Sequence, residues 1–124
     1  QTIISLGEGH TPLIPISNNV YVKDETVNPT GSFKDRGMAL AITMAKAQGV
    51  ETVCLPSAGN AGISAAAYCE AAEIECNVFL PETIPESFIK ETEKYNANLT
   101  LSGNTISDAA KNMLKNKMLL KKDD

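Results

Sequence analysis

The sequence is poor in several features that would assign it to a class of protein. It has no tryptophan, a single histidine and no uninterrupted apolar run of more than a few residues. Because a membrane-spanning helix needs about 20 apolar residues, a transmembrane protein is excluded. Basic residues number 11 against 15 acidic ones, so the net charge of −4 has the wrong sign for binding a phosphate backbone. We therefore expect neither a membrane nor a nucleic acid as a partner.

Cysteines are also few and have no metal-binding spacing. Cys54, Cys69 and Cys76 form no C-x-x-C pair, and the single histidine, His10, is remote from them in the sequence. A zinc site and a disulfide framework therefore lose support, and we predict no bound metal. Each cysteine lies in or beside an apolar segment, where a free thiol behaves as a small buried hydrophobe. This usage favours a reducing, cytoplasmic compartment.

What remains is the composition of one globular domain. The chain has 124 residues, of which 43% are hydrophobic and 21% charged, and a single domain usually has about 100 to 150 residues. We predict an N-terminal segment over residues 1–30 and an α/β domain over residues 31–124. Because residue 1 is Gln rather than Met and no stop signal follows the last predicted helix, we expect both ends to be truncated.

Predicted strands and helices alternate along the chain. Apolar periodicity and turn residues define four strands and four helices. The strands cover residues 20–23, 52–55, 77–80 and 99–101, and the helices cover residues 33–48, 62–72, 86–95 and 105–122. Short links join these elements. The alternation is typical of an α/β fold with an open parallel sheet, here of about four strands, and helices on both faces.

In such sheets ligands bind at the carboxyl ends of the strands, so a site is expected at the strand-to-helix turns. Residues 28–36, Asn-Pro-Thr-Gly-Ser-Phe-Lys-Asp-Arg, place Lys34 in the first turn of a helix. The helix dipole and partial burial would both disfavour a charged amine there, which suits a Schiff-base lysine. The alternative is a solvated lysine next to Ser32, which would act only as a helix cap in a capping box with Asp35. Periodicity does not choose between these interpretations.

A second turn, Pro-Ser-Ala-Gly-Asn-Ala-Gly over residues 56–62, consists of small residues between a strand and a helix. Backbone amides exposed at a helix N-terminus suit a carboxylate or a phosphate. The turn lacks the first glycine of a dinucleotide fingerprint, and no P-loop motif occurs in the chain. A tight turn that needs Gly59 and Asn60 only for backbone geometry is the alternative.

Together these motifs carry a resemblance to a known family. The run of residues 28–37, preceded by Lys-Asp-Glu at 23–25 and followed by Ser-Ala-Gly-Asn at 57–60, resembles the N-terminal part of the threonine synthases. Residues 6–13, Leu-Gly-Glu-Gly-His-Thr-Pro-Leu, resemble the opening motif of that family. The threonine synthases are fold type II pyridoxal-phosphate enzymes, so the resemblance implies the smaller domain of that fold.

The resemblance also implies roles for individual residues. Lys34 would carry pyridoxal 5′-phosphate as an internal aldimine, and Asn60 would donate a hydrogen bond to the 3′ oxygen of the ring. Phe33 would pack beside the cofactor, with an ordinary core position as the alternative. The turn of Ser57, Ala58, Gly59 and Asn60 would face the substrate carboxylate. Ala58 departs from the family, in which a hydroxyl residue is frequent, and this removes one side-chain contact.

The activity implied is the conversion of O-phospho-L-homoserine and water to L-threonine and phosphate. A small amino acid is then the substrate, and a homodimer is a candidate assembly of the full-length enzyme. Cysteate synthase, threonine or serine dehydratases and cysteine synthases share parts of these motifs and remain alternatives.

The glycine-rich loop that cradles the cofactor phosphate in the family has no counterpart among the eight glycines of this chain. We therefore expect a fragment that forms no threonine by itself. A noncatalytic α/β module is the alternative interpretation of the isolated chain.

Overall fold

The computed structural model describes residues 2–123, with side chains described for residues 2–115. Five strands, four α-helices and one short 3₁₀ turn follow each other along this part of the chain. In order they are β1 (Leu13–Ser17), β2 (Val20–Lys23), the 3₁₀ turn (Glu25–Val27), α1 (Lys34–Ala47), β3 (Thr52–Pro56), α2 (Asn60–Ala72), β4 (Glu75–Leu80), α3 (Glu86–Glu93), β5 (Asn98–Leu101) and α4 (Ile106–Asp123).

A parallel sheet organises the fold. Strand β4 lies between β3 and β5, with Val53 opposite Cys76 and Val78 opposite Leu99. Helices α2 and α3 pack against each other and on the sheet. Helix α4 packs on β3 and β4 without a substantial contact to α2 or α3 in the described chain, so helices cover both faces. The predicted α/β fold with a parallel sheet is confirmed, and the sheet has three strands where about four were expected.

The difference in strand number comes from the N-terminal hairpin. The strand predicted at 20–23 forms, but it pairs antiparallel with β1 in a separate two-stranded sheet. Strand β1 is not among the predicted strands, because Pro15 interrupts the strand pattern and cannot donate a ladder hydrogen bond. Both faces of this hairpin are exposed, including the side chains of Leu13, Ile16 and Tyr21.

Helix α2 lies at the centre of the core. Ala65, Tyr68 and Cys69 on this helix are fully buried, as are Val78 and Leu80 on β4. These side chains belong to one cluster, to which α1 contributes from the other side of α2. The alanines let the helix approach the sheet closely, which a densely packed interior requires.

The three cysteines differ in their environment. Cys69 and Cys76 are buried, as predicted, whereas the prediction is wrong for Cys54, which is exposed on the edge strand β3. In the described part of the chain no three histidine, cysteine, aspartate or glutamate side chains are placed to hold a metal ion. None of the described helices is both long enough and apolar enough to cross a membrane.

The N-terminal segment is attached to the α/β unit by buried polar contacts. The amide of Ile4, whose side chain joins the core, donates a hydrogen bond to the Thr43 hydroxyl at 2.9 Å. The Tyr68 hydroxyl donates to Glu8 at 2.6 Å. Burial alone would raise the pKa of Glu8, but hydrogen bonds from Tyr68 and the Leu6 amide hold this pKa below its usual value. A charged Glu8 therefore accepts the hydrogen bond from the buried Tyr68 hydroxyl.

Candidate active site

The two turns singled out in the sequence lie on one cavity of about 360 Å³. The start of α1 contributes Lys34, and the connection from β3 to α2 contributes residues 56–61. Phe88 from α3 and Ile106 from α4 complete the lining. The cavity therefore lies beyond the carboxyl end of β3, where parallel sheets place their ligands.

Lys34 is exposed and open to this cavity. Among the described residues its amine forms no ion pair, and it lies 5.0 Å from the centroid of the Phe33 ring. That distance is within the range of a cation–π contact. The partial burial expected from the sequence is not found. What the fold provides is an accessible primary amine at a helix start, and such an amine can react with a carbonyl carbon.

The backbone around Lys34 is held by buried polar groups. The Lys34 amide donates to the hydroxyl of buried Ser32 at 3.3 Å. The Asp35 carboxylate accepts from the Thr30 amide at 2.7 Å, which differs from the predicted capping box with Ser32. Asp35 also accepts from the Ser64 hydroxyl of α2 at 2.6 Å. One buried carboxylate therefore joins the turn before Lys34, helix α1 and helix α2.

The second turn presents free backbone amides. The buried Ser57 hydroxyl accepts hydrogen bonds from the amides of Gly59 at 3.0 Å and Gly62 at 2.8 Å. The other amides of residues 58–61 have no partner among the described residues. Because these amides lie at the N-terminus of α2, they can bind a carboxylate or a phosphate.

Two glycines of this turn are required by the local geometry. Gly59 has a φ angle of +154°, which side chains rarely tolerate, and a Cβ atom there would lie 3.0 Å from the Phe88 ring. A Cβ atom on Gly62 would lie 2.9 Å from Cγ1 of Val78. The turn can therefore pack against α3 and β4 only because these positions lack a side chain.

The four residues predicted to bind substrate differ in their access to the cavity. Ser57 and Gly59 are buried and hold the turn in place. Ala58 and Asn60 are exposed on the cavity wall. The Asn60 side chain has two donors and an acceptor to offer to a ligand, whereas Ala58 can contribute only its backbone amide.

Phe33 lies away from this cavity. Its side chain is 58% exposed, so the alternative of an ordinary core position is wrong. The ring lines a second cavity of about 310 Å³ together with Val22 and Lys23. The Phe33 ring is linked to the candidate site by its cation–π contact with the Lys34 amine. Contact between Phe33 and a cofactor stays a prediction.

Phe88 and Ile106 belong to the site, although no motif in the sequence indicates them. Both lie on predicted helices, but their side chains carry no chemical signal of a ligand. The rule that ligands lie at carboxyl ends of strands could have indicated Ile106, because this residue follows the end of β5. Phe88 is brought to the cavity by the packing of α3 on α2, which no local pattern predicts.

A surface network fixes Arg36, the last residue of the lysine motif. Arg36 Nε lies 2.5 Å from Oε1 of Glu25, and the Arg36 guanidinium donates to the Thr11 hydroxyl at 3.0 Å. The hydrogen bonds from Arg36 and Thr11 lower the pKa of Glu25 to about 2. This network therefore ties the N-terminal segment to the beginning of α1.

The fold and the site define an α/β domain in which a lysine amine and a helix turn with free backbone amides face one cavity. The family described as pyridoxal-phosphate dependent enzymes matches residues 4–122. The chain belongs to this family. Pyridoxal phosphate, expected from the sequence motifs, is the cofactor of the family.

Curated relatives of the chain are threonine synthases. That of Halalkalibacterium halodurans is 48% identical over 87 residues, which cover 64% of this chain and 25% of the relative. That of Bacillus sp. strain ULM1 is 40% identical over 116 residues, which cover 87% of this chain and 33% of the relative. The chain therefore spans about a quarter to a third of the length of these relatives.

Solved structures show the same fold. A hydrogen sulfide-producing enzyme from Fusobacterium nucleatum superimposes with a TM-score of 0.78 at 26% sequence identity. The match covers 98% of this chain and 41% of that enzyme. The described helices and strands therefore correspond to one part of a larger enzyme fold.

Proposed function

We propose that the whole protein to which this chain corresponds is a threonine synthase, which converts O-phospho-L-homoserine and water to L-threonine and phosphate. The observation that carries the proposal is the single cavity lined by Lys34 and by the turn of residues 57–60. Identities of 48% and 40% to threonine synthases support it. Because the chain covers only part of these relatives, the reaction is assigned to the whole protein.

The described residues fit the covalent attachment of pyridoxal phosphate. Lys34 offers an amine without an ion-pair partner among them, and an amine is what an aldehyde requires for a covalent link. Asn60 lies on the same cavity and offers an amide donor for a ring oxygen. The cofactor, when bound, supplies an electron sink for charge that develops on the substrate carbons.

Lys34 has a second task once its amine is free. An amine beside the substrate can take up and return protons at the α and β carbons, as a general base and acid. In the overall reaction the bond between the γ carbon and the phosphate oxygen breaks, and phosphate leaves. A water molecule then supplies the hydroxyl group at the β carbon.

The turn of residues 57–60 would orient the substrate through its carboxylate. The free amides of Ala58, Asn60 and Ala61 provide donors at the positive end of α2. Because Ala58 and the glycines have small side chains or none, the substrate carboxylate can come close to the backbone amides. With Ala58 at this position, the contacts come from the backbone and from Asn60.

The proposal is tested with the full-length protein and its cofactor. We expect O-phospho-L-homoserine to yield threonine and phosphate in equal amounts. The chain of residues 1–124 alone, measured in parallel, should form none, because it provides only the attachment part of the site. Full-length protein that binds the cofactor at Lys34 but forms no threonine would contradict the proposed reaction.

A second candidate is a related enzyme whose substrate has no phosphate group, such as a threonine or serine dehydratase or a cysteine synthase. Most of the cavity lining is apolar, and Lys34 is the one cation among the described lining residues. The same preparation should therefore be offered L-threonine, L-serine and O-acetyl-L-serine with sulfide. Oxo-acid or cysteine formation at rates above threonine formation would favour this candidate.

A further inference from the structure

A buried carboxylate next to the site has no role in the reaction proposed above. Asp35 directly follows Lys34 and has no exposed surface. None of the ion pairs among the described side chains includes it. Burying a charge is costly unless hydrogen bonds replace the lost water, so the contacts of Asp35 decide what it does.

Three hydrogen bonds replace water around this carboxylate. Oδ2 accepts from the Thr30 amide at 2.7 Å, and Oδ1 accepts from the hydroxyls of Thr30 at 2.5 Å and Ser64 at 2.6 Å. Ser64 is also fully buried. Because Asp35 lies in the first turn of α1, the helix dipole further favours its negative charge.

These bonds connect the two halves of the candidate site. Thr30 belongs to the turn that precedes Lys34, and Ser64 lies one helical turn after Asn60 on α2. A displaced Asp35 carboxylate would therefore change the position of the lysine relative to the anion-binding turn. An apolar pair could fill the same space without burying a charge, so packing alone does not require a carboxylate here.

We propose that Asp35 is a positioning residue, which fixes the Lys34 amine relative to residues 57–60 through its hydrogen bonds to Thr30 and Ser64. The inference rests on the proposed function in one respect, namely that Lys34 is the residue that binds the cofactor. Asp35 acts through Lys34 and needs no contact with substrate or cofactor.

Three variants of the full-length protein test this role. Ser64→Ala removes the connection to α2 alone, Asp35→Ala removes all three bonds, and Asp35→Asn is the conservative change. An asparagine oxygen can still accept from the Thr30 amide, while the two hydroxyls can rotate to accept from its NH₂ group. Thr43→Val is the matched control, because it also removes a buried hydroxyl, here the one bonded to Ile4.

Two measurements separate positioning from stability. The first is hydrogen–deuterium exchange of residues 30–37 in the cofactor-free protein. The second is the pH titration of the bound cofactor's absorbance, with kcat and KM measured alongside. We expect faster exchange, a shifted titration midpoint and a kcat lowered roughly tenfold or more in Asp35→Ala. Ser64→Ala should show smaller effects in the same direction, and Asp35→Asn should retain most of the wild-type behaviour.

The behaviour of the Thr43→Val control shows what the loss of a purely structural hydrogen bond does. Thr43→Val should lower the melting temperature but leave the titration and kcat unchanged. If Asp35→Ala and Ser64→Ala behave in the same way, Asp35 only stabilises the fold and the inference is wrong. Should Asp35→Ala fail to fold, Ser64→Ala alone decides. Peptide mapping of the borohydride-reduced wild type tests the assignment of Lys34 separately. If the cofactor is found on another lysine, that assignment is wrong; if it is found on Lys34 and the variants behave like the control, only the role of Asp35 is wrong.

Discussion

The two turns that meet at the candidate site are held in place by different groups. The turn at residues 57–60 is fixed by packing, with no space for a side chain at Gly59, and by its own buried Ser57 hydroxyl, which accepts from the amides of Gly59 and Gly62. The turn at residues 28–36 ends in an exposed lysine and depends on hydrogen bonds to a buried carboxylate. A preformed set of amides can thus bind an anion while the amine stays accessible for reaction.

Removing the accessible amine should have the largest effect. Lys34→Ala should abolish both catalysis and cofactor absorbance in the full-length protein, since no amine remains at that place in the cavity. The fold should persist, because a cation in the first turn of a helix is unfavourable for the helix. Lys46→Ala, near the C-terminal end of α1, is the control and should retain activity. Near-normal turnover of Lys34→Ala would disprove the assignment.

A methyl group added at Gly59 tests whether the turn at residues 57–60 depends on close packing. Gly59→Ala should destabilise the protein by about 1–3 kcal/mol, because the added Cβ meets Phe88 and the backbone angle is unfavourable. Gly37→Ala in α1 is the control. A Cβ atom there meets nothing within 4 Å, so the free energy of unfolding of this variant should rise by about 0.5–1 kcal/mol. Urea unfolding of both variants measures the difference, and equal effects would contradict the packing argument.

Asn60→Ala should have a milder effect than either change. The loss of one hydrogen bond to the ring corresponds to about 0.5–1.5 kcal/mol, so kcat/KM should fall roughly 2- to 10-fold while the cofactor stays attached. Asn98→Ala, which removes an exposed amide at the amino end of β5, is the matched control. An unchanged absorbance spectrum together with unchanged kinetics would show that Asn60 makes no such contact.

The smallest effect should come from the surface network beside the lysine turn. The pKa of Glu25 is about 2 in the folded protein against 4.5 ordinarily, so its contribution to stability is present above about pH 4.5. This contribution is lost as the pH falls toward 2. Glu25→Gln should therefore be less stable than wild type at pH 6 and equal to it near pH 2. Glu86→Gln, from an exposed pair with Lys90, should show no comparable pH dependence. A difference between wild type and Glu25→Gln that does not change with pH would contradict this assignment.

The parts of the fold that depend on local signals could be predicted from the sequence. Helix α1 was predicted at residues 33–48 and runs over Lys34–Ala47, because alanine-rich periodicity and the glycine after it mark its extent. Helix α2 was predicted to start at residue 62 and begins at Asn60. That error placed Asn60 in the turn before the helix, although it is in fact the first helical residue.

Features that depend on tertiary contacts could not be predicted in this way. The hairpin partner of β2 contains Pro15, which hides the strand pattern. Phe88 reaches the cavity through helix packing, and the bond from Ser64 to Asp35 joins residues 29 positions apart. Even the exposure of Lys34 depends on which neighbouring elements cover it, and periodicity contains no information on that.

The attachment of the N-terminal segment has a consequence for the order of folding. Two of its hydrogen bonds, between Ile4 and Thr43 and between Glu8 and Tyr68, join residues 39 and 60 positions apart. Neighbouring strands of the parallel sheet are closer in sequence, and closing shorter loops costs less entropy. We expect β3, α2 and β4 to assemble first and residues 4–8 to dock last. In pulse-labelling hydrogen exchange, the amides of α2 around Tyr68 should then become protected earlier than the Ile4 amide.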